Sequence, residues 1–203
     1  MAGYEKVVFA ICEKCKNTFN SSVFLFNSVN VDIKQGIYND FINDKLNIVK
    51  CNHCQSIFIY ERPFVAYSIS KQYAIYSNQS LTYKSLKHGR KSIYKMFGFS
   101  NMKFRLVDFQ CEASEKVRIF ENNLCDIKIE KLKHILFDES YFKNKQDNMV
   151  LFKEIKDNLI IFEYKDYLQN VIETKSVLLD EYNNISVEEI DINNSSYVEW
   201  KRI

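Results

Sequence analysis

Cys12-Glu13-Lys14-Cys15 and Cys51-Asn52-His53-Cys54 are the two stretches that decide how this chain folds. A gap of two residues lets both sulfurs of a tight turn point at one cation, and two such turns close a tetrahedron. Both pairs follow short strand-like segments, 6–11 and 46–50, whereas a redox Cys-x-x-Cys usually stands alone at a helix start. Four thiolates leave no position for water, so the spacing predicts a structural metal rather than a catalytic one. Zn²⁺ suits such a shell because it accepts the tetrahedron its ligands impose. The expected ligands are Cys12, Cys15, Cys51 and Cys54. A redox pair, an iron–sulfur site and two unrelated thiol pairs stand as the competing readings. His53 lies inside the second pair, where it reads as a replacement ligand, a solvated turn residue or a donor to a ligand. Cys111 and Cys125 fall in or beside helical stretches and read as small buried hydrophobes.

Outward from the cysteines, strands outnumber helices. Phe19, Val23, Leu25, Val29 and Val31 recur at period two and predict one long strand. Asp32 is a fitting N-cap for a helix that places Ile33, Ile37, Phe41 and Ile42 on one face. Strand-like runs follow at 56–61, 64–69 and 73–77, and residues 78–103 form an excursion without clean periodicity. Phe104-Arg105-Leu106-Val107 resumes a strand. Asp108 then stands before a helix with Ala113, Val117, Phe120 and Leu124 on one stripe. A second helix over 126–137 carries Ile129, Leu132 and Leu136. Residues 149–174 predict a hairpin or small sheet, 175–185 a helix, and 197–203 a final strand. The class is α+β: a zinc-ribbon-like antiparallel β element with an inserted helix, then a helix pair and a further small sheet.

The chain has 203 residues, 46% hydrophobic and 15% aromatic, ample for a well-filled core and incompatible with global disorder. Its one Pro and four Gly are the composition an AT-rich genome produces. The first residues lack a signal-peptide pattern, and no apolar run approaches the ~18–20 residues of a membrane span. A cytoplasmic protein without membrane contact is expected, where thiols stay reduced.

The opening Cys-x-x-Cys, Asn30-Val31-Asp32 leading into the helix, and the second Cys-x-x-Cys together resemble the CpXC domain family. Phe104-Arg105-Leu106-Val107, Glu115-Lys116-Val117-Arg118-Ile119-Phe120 and Leu124-Cys125-Asp126 continue the resemblance. It runs from about residue 7 to 137 and implies a zinc-ribbon-like fold without naming a reaction. The family's Pro inside each pair is Glu13 and Asn52 here, and the Gly that often follows each knuckle is Lys16 and Gln55. The expected organisation is a CpXC-like domain over 1–137, with the basic excursion inside it. A C-terminal α+β extension over 138–203 packs on that domain.

The formal net charge of +2 conceals an uneven distribution. No acidic residue lies between Glu61 and Asp108, while Arg62, Lys71, Lys84, Lys87, Arg90, Lys91, Lys95, Lys103 and Arg105 are basic. Of 28 basic residues these nine leave 19 elsewhere, against 26 acidic ones. Tyr83, Tyr94, Phe97, Phe99 and Phe104 are interleaved. Cations neutralise phosphates and aromatic faces stack bases, so the stretch has the composition of a single-strand-binding loop. Lys84, Lys87, Arg90, Lys91, Lys95, Lys103 and Arg105 are the candidate contacts to nucleic acid or an acidic protein. The plainer reading pairs these charges with the acidic C-terminal third or leaves them solvated.

The four glycines are too scattered for a phosphate loop, and three histidines do not suffice for a multi-histidine catalytic metal site. The sequence therefore points to a non-enzymatic zinc-binding module with a binding or regulatory role. The alternative is an enzyme whose site lies between the ribbon and the helical part.

Overall fold

The computed structural model describes residues 3–78, 103–136, 148–166 and 171–186. Those residues divide into two compact units, and the boundary falls between Ser114 and Glu115. The class is α+β. Among the described residues no helix is long and apolar enough to cross a membrane.

The first unit begins with two antiparallel hairpins, each carrying one cysteine pair at its turn. Strands β1 (Tyr4–Ile11) and β2 (Thr18–Leu25) pair in register from Tyr4 opposite Leu25 to Ile11 opposite Thr18. Strands β4 (Ile48–Lys50) and β5 (Ile57–Ile59) pair around Val49 opposite Phe58. Alternation sends Val8, Ala10, Phe19, Val23, Leu25 and Val49 into one small core with Cys12 and Cys51. Phe58 and Tyr60 pack against it, Phe58 meeting Phe19 edge-on at 6.4 Å. This is the zinc-ribbon-like element, and helix α1 (Ile37–Ile42) is the inserted helix.

The single long strand expected over 19–31 is two strands. β2 ends at Leu25, and β3 (Ser28–Asn30) joins a different sheet. At the break the Asn47 side chain takes both backbone groups of Phe26. Its Oδ1 accepts from the Phe26 N–H at 2.7 Å and its Nδ2 donates to the Phe26 carbonyl at 3.1 Å. One buried amide thus replaces the strand partner that Phe26 lacks. Asp32 does not cap α1, whose N-cap is Gly36 without a side-chain cap. Its carboxylate instead accepts from the N–H groups of Ile69 and Ser70 and the hydroxyls of Ser68 and Ser70. Asp32 therefore pins the turn that begins at Ser68, and although burial pushes its pKa up, those bonds hold it below the usual carboxylate value.

Strands β6 (Phe64–Ser68), β7 (Tyr73–Ser77) and β8 (Lys103–Val107) complete a four-stranded sheet in the order β3-β6-β7-β8. β6 and β7 are antiparallel, while β3–β6 and β7–β8 are parallel. Phe64, Ala66, Tyr73, Ala74 and Ile75 are buried along the central strands, and Phe41 of α1 stacks on Phe64 at 5.3 Å. Helix α2 (Gln110–Glu121) follows. Its opening N–H groups go to carboxylates: those of Asp108 and Phe109 to Glu112, and that of Gln110 to Glu61.

In the second unit, helix α3 (Asp126–Leu136) buries Ile127, Ile129 and Leu132. Strands β9 (Asn148–Lys156), β10 (Leu159–Asp166) and β11 (Val171–Leu178) form an antiparallel meander. Asp157 and Asn158 turn β9 into β10, both with positive φ (50° and 63°), as a two-residue mirror-type hairpin turn requires. Leu151, Phe152, Ile160 and Phe162 are the buried core of the sheet. The helix expected over 175–185 starts later, as α4 (Leu179–Asn184), because β11 continues the sheet through Leu178. The final strand expected over 197–203 and, of the excursion expected over 78–103, residues 79–102 lie outside the described residues.

Candidate metal centre

The two cysteine turns are built alike. In the first, the Cys12 N–H donates to the Asn17 carbonyl at 2.9 Å and the Lys16 N–H to the Cys12 carbonyl at 2.7 Å. In the second, the Cys51 N–H donates to the Ser56 carbonyl at 2.8 Å and the Gln55 N–H to the Cys51 carbonyl at 3.0 Å. Lys16 and Gln55 both adopt left-handed backbone, with φ of 61° and 63°. This is the conformation that favours glycine, and here two ordinary side chains are held in it. Glu13 and Asn52 do not prevent either turn from closing.

The two turns bring the sulfurs of Cys12, Cys15, Cys51 and Cys54 within 4.8 Å of one another. Cys12 and Cys54 Sγ are 3.5 Å apart, and Cys15 and Cys51 Sγ 3.7 Å. A tetrahedron with metal–sulfur bonds of about 2.3 Å has sulfur edges of about 3.8 Å. A disulfide would bring sulfurs to about 2.05 Å, and all six cysteines are free. Cys12 and Cys51 are fully buried, whereas Cys15 and Cys54 are half-buried. The cluster has the donors and the size to hold one metal ion.

Polar groups surround the sulfurs. The Ser56 hydroxyl lies 3.2 Å from Cys12 Sγ and 3.0 Å from Cys54 Sγ. Asn17 Nδ2 donates to Cys15 Sγ at 3.5 Å, and the His53 N–H to Cys51 Sγ at 3.4 Å. Burial alone would push the Cys12 thiol up, yet Ser56, the Cys15 N–H and the neighbouring thiols bring it down to about 6. Cys54 is lowered too, chiefly by the Ser56 hydroxyl and N–H. At Cys15 the Asn17 N–H favours the thiolate, but burial and the sulfurs of Cys12, Cys54 and Cys51 push the pKa up to about 11. A thiolate beside other thiolates is costly, so keeping all four ionised takes a cation among them.

His53 is exposed and reaches the centre only through its backbone. Ser56 and Asn17 escaped the sequence reading. The signal for them was present: each is the second residue after the last cysteine of its pair. Each closes its turn by backbone and offers a side-chain donor to sulfur. Cys111 is fully buried and Cys125 half-buried.

Of the candidate basic contacts, Lys84, Lys87, Arg90, Lys91 and Lys95 lie outside the described residues. Lys103 is exposed on β8, while Arg105 is buried with Nη1 donating to the Phe104 carbonyl at 2.9 Å. A carboxylate that the sequence did not single out is Glu61. Burial pushes its pKa up to about 8, against the hydrogen bond from the Gln110 N–H, and Glu112, Asp44 and Glu13 add repulsion.

A family model described as CpXC protein matches residues 11–133, more than half of the chain. No curated protein and no solved structure matches it.

Proposed function

The chain belongs to the CpXC family, and from that premise we propose a non-enzymatic zinc-binding module that works by contacting a partner. Zn²⁺ is held by Cys12, Cys15, Cys51 and Cys54 as a structural ion. The observation that carries this reading is the set of four sulfurs within 4.8 Å, with edges of 3.5 and 3.7 Å where measured as contacts. Thiolate ligands and a tetrahedral outline favour zinc over hard, oxygen-seeking cations. The CpXC-like domain spans 1–137 and carries residues 138–203 as an extension. The basic stretch between Glu61 and Asp108 supplies the contact surface, single-stranded nucleic acid being the first partner and an acidic protein the second. A reducing compartment such as the cytoplasm suits six free thiols.

Native mass spectrometry of reduced, untagged protein tests the metal: one Zn²⁺ per chain is expected, and under half an equivalent overturns the assignment. Titration with single-stranded nucleic acid tests the partner. Binding should weaken steeply between ~50 and ~200 mM salt, as release of counterions from several phosphates requires. The triple substitution Lys87→Glu, Arg90→Glu and Lys91→Glu should abolish binding with metal content unchanged. Wild-type protein that fails to bind even at low salt removes nucleic acid and leaves the acidic protein.

One observation favours an enzyme as the second reading. Glu61, with its pKa pushed up to about 8, has the proton affinity of a general acid–base group. Its carboxylate is nevertheless engaged by the Gln110 N–H at the start of α2, a structural use of the same group.

A further inference from the structure

All four sulfurs lie within 4.8 Å of one another, and the two contacts at 3.5 and 3.7 Å both cross between the turns. Cys12 meets Cys54 and Cys15 meets Cys51, residues 42 and 36 apart in sequence. Each crossed pair joins one fully buried sulfur, Cys12 or Cys51, to one half-buried sulfur, Cys54 or Cys15. We propose that the centre is a reversible redox clasp: a hydroperoxide drives the metal out and closes Cys12–Cys54 and Cys15–Cys51 disulfides, not Cys12–Cys15 and Cys51–Cys54. The inference rests on the metal-binding reading above and adds to it a response and a connectivity.

The chemistry balances with the hydroperoxide as the only oxidant. With hydrogen peroxide, the half-buried thiolate attacks one peroxide oxygen, the O–O bond breaks, and a sulfenic acid and hydroxide form. The buried thiolate beside it then attacks the sulfenic sulfur, the S–O bond breaks, and a disulfide and a second hydroxide result. Two sulfurs lose two electrons and one peroxide gains them. Repeating this at the other pair removes all four thiolates, and the cation leaves because its donors are gone. Closing each bond asks the sulfurs to approach by about 1.5 Å, from their present contact to about 2.05 Å.

Connectivity decides the consequence. Crossed bonds tie the β1–β2 hairpin to the β4–β5 hairpin, so the ribbon stays clasped after the metal has gone. Bonds within each Cys-x-x-Cys would leave the hairpins untied. A crossed clasp can therefore be emptied and, once a dithiol has reduced it, refilled without refolding.

The test uses the full reduced chain, with metal content established by native mass spectrometry before any oxidant is added. Absence of metal at that point defeats the metal-binding reading itself. With metal present, hydrogen peroxide at micromolar protein should release one ion per chain and remove four hydrogens relative to the reduced apo chain. Peptide mapping under non-reducing conditions should recover the 12–54 and 15–51 links, with Cys111 and Cys125 still free. A dithiol with added Zn²⁺ should restore the starting mass. Recovery of 12–15 and 51–54 links overturns the inference, as does a metal that stays bound under peroxide. Sulfinic acids without disulfides, or links between chains, overturn it equally.

Discussion

The β1–β2 and β4–β5 turns of the ribbon and the β9–β10 turn all run through left-handed backbone, yet the two regions fill it differently. The meander puts Asp157 and Asn158 there, short polar residues that tolerate positive φ. The ribbon puts Lys16 and Gln55 there, which do not favour it. The surroundings differ in the same sense. The meander has strands of eight or nine residues, with Leu151, Phe152, Ile160 and Phe162 buried along them. The second hairpin of the ribbon has strands of three residues. One region folds on its local sequence and apolar area. The ribbon's second hairpin has too little of either, so its turn is expected to depend on the sulfur centre that the two hairpins create. Metal binding of roughly 10–16 kcal/mol, the range of isolated zinc modules, is ample for that.

Breaking each region by its own means gives the largest expected effects. Cys51→Ser should remove the metal and unfold the ribbon, while β9–β11 keep their amide protection. Glu115→Ala should do the reverse. Glu115 is 1% exposed, accepts from the Phe152 N–H at 2.6 Å and pairs with buried Lys133, which also bonds Glu130 at 3.0 Å. Lys116 joins them through Glu130, whose pKa is held far below the usual range by the two lysines despite burial. Removing one member of such a network costs roughly 3–5 kcal/mol, here in the second unit with the metal retained. Hydrogen exchange read by mass spectrometry resolves the two patterns. Equal loss of protection in the ribbon and the meander for either variant would erase the distinction.

The ribbon was legible in the sequence because two cysteine pairs of fixed spacing mark two like turns across any intervening chain. The end of β2 was not legible. Phe19, Val23, Leu25, Val29 and Val31 keep one parity through the break, and all five are buried. The period-two signal therefore runs on although the two strands have different partners. What ends β2 is Asn47, twenty-one residues from Phe26, itself at φ 54° and donating to Gln110 at 2.7 Å. Asp32 misled for a similar reason. A carboxylate before a helical pattern is a good cap in one dimension, but four donors at 68–70 compete for it in three. The proton affinity of Glu61 comes from burial and three distant carboxylates, none of them inferable from Glu61-Arg62.

Glu61 gives a smaller effect with a sign that pH reveals. Its folded pKa of about 8 exceeds its ordinary 4.5. Between those values the folded state binds more protons than the unfolded one, so this group makes stability fall as pH rises, by at most about 1.4 kcal/mol per pH unit. Glu61→Gln keeps an oxygen for the Gln110 N–H and cannot titrate. The variant's advantage over wild type should therefore be small at pH 5 and largest above pH 8. Glu112, Asp44 and Glu13, which repel the charge, are common to both proteins. Denaturant titrations at pH 5 and 9 measure the difference, and an equal gap at both values would show that Glu61 keeps an ordinary pKa.

The smallest effect sharpens the comparison of turns most directly. If Lys16 and Gln55 are held left-handed against their preference, each stores about 1 kcal/mol of backbone strain. Lys16→Gly and Gln55→Gly should remove it, less the extra freedom glycine gains in the unfolded chain, for a net stabilisation of about 0.5 kcal/mol each. Lys14→Gly is the control. It lies in the same turn but outside the left-handed region, so only the entropic loss applies and it should destabilise. Asn158→Gly is the matching control in the meander, where the native residue already tolerates positive φ and the change should be near zero. If a bound metal holds the turns, the metal-bound state carries the strain, so relieving it should appear as tighter Zn²⁺ binding in a chelator competition. Affinities unchanged by Lys16→Gly and Gln55→Gly, or raised as much by Lys14→Gly, would mean that the ribbon's turns, like the meander's, are set by local sequence.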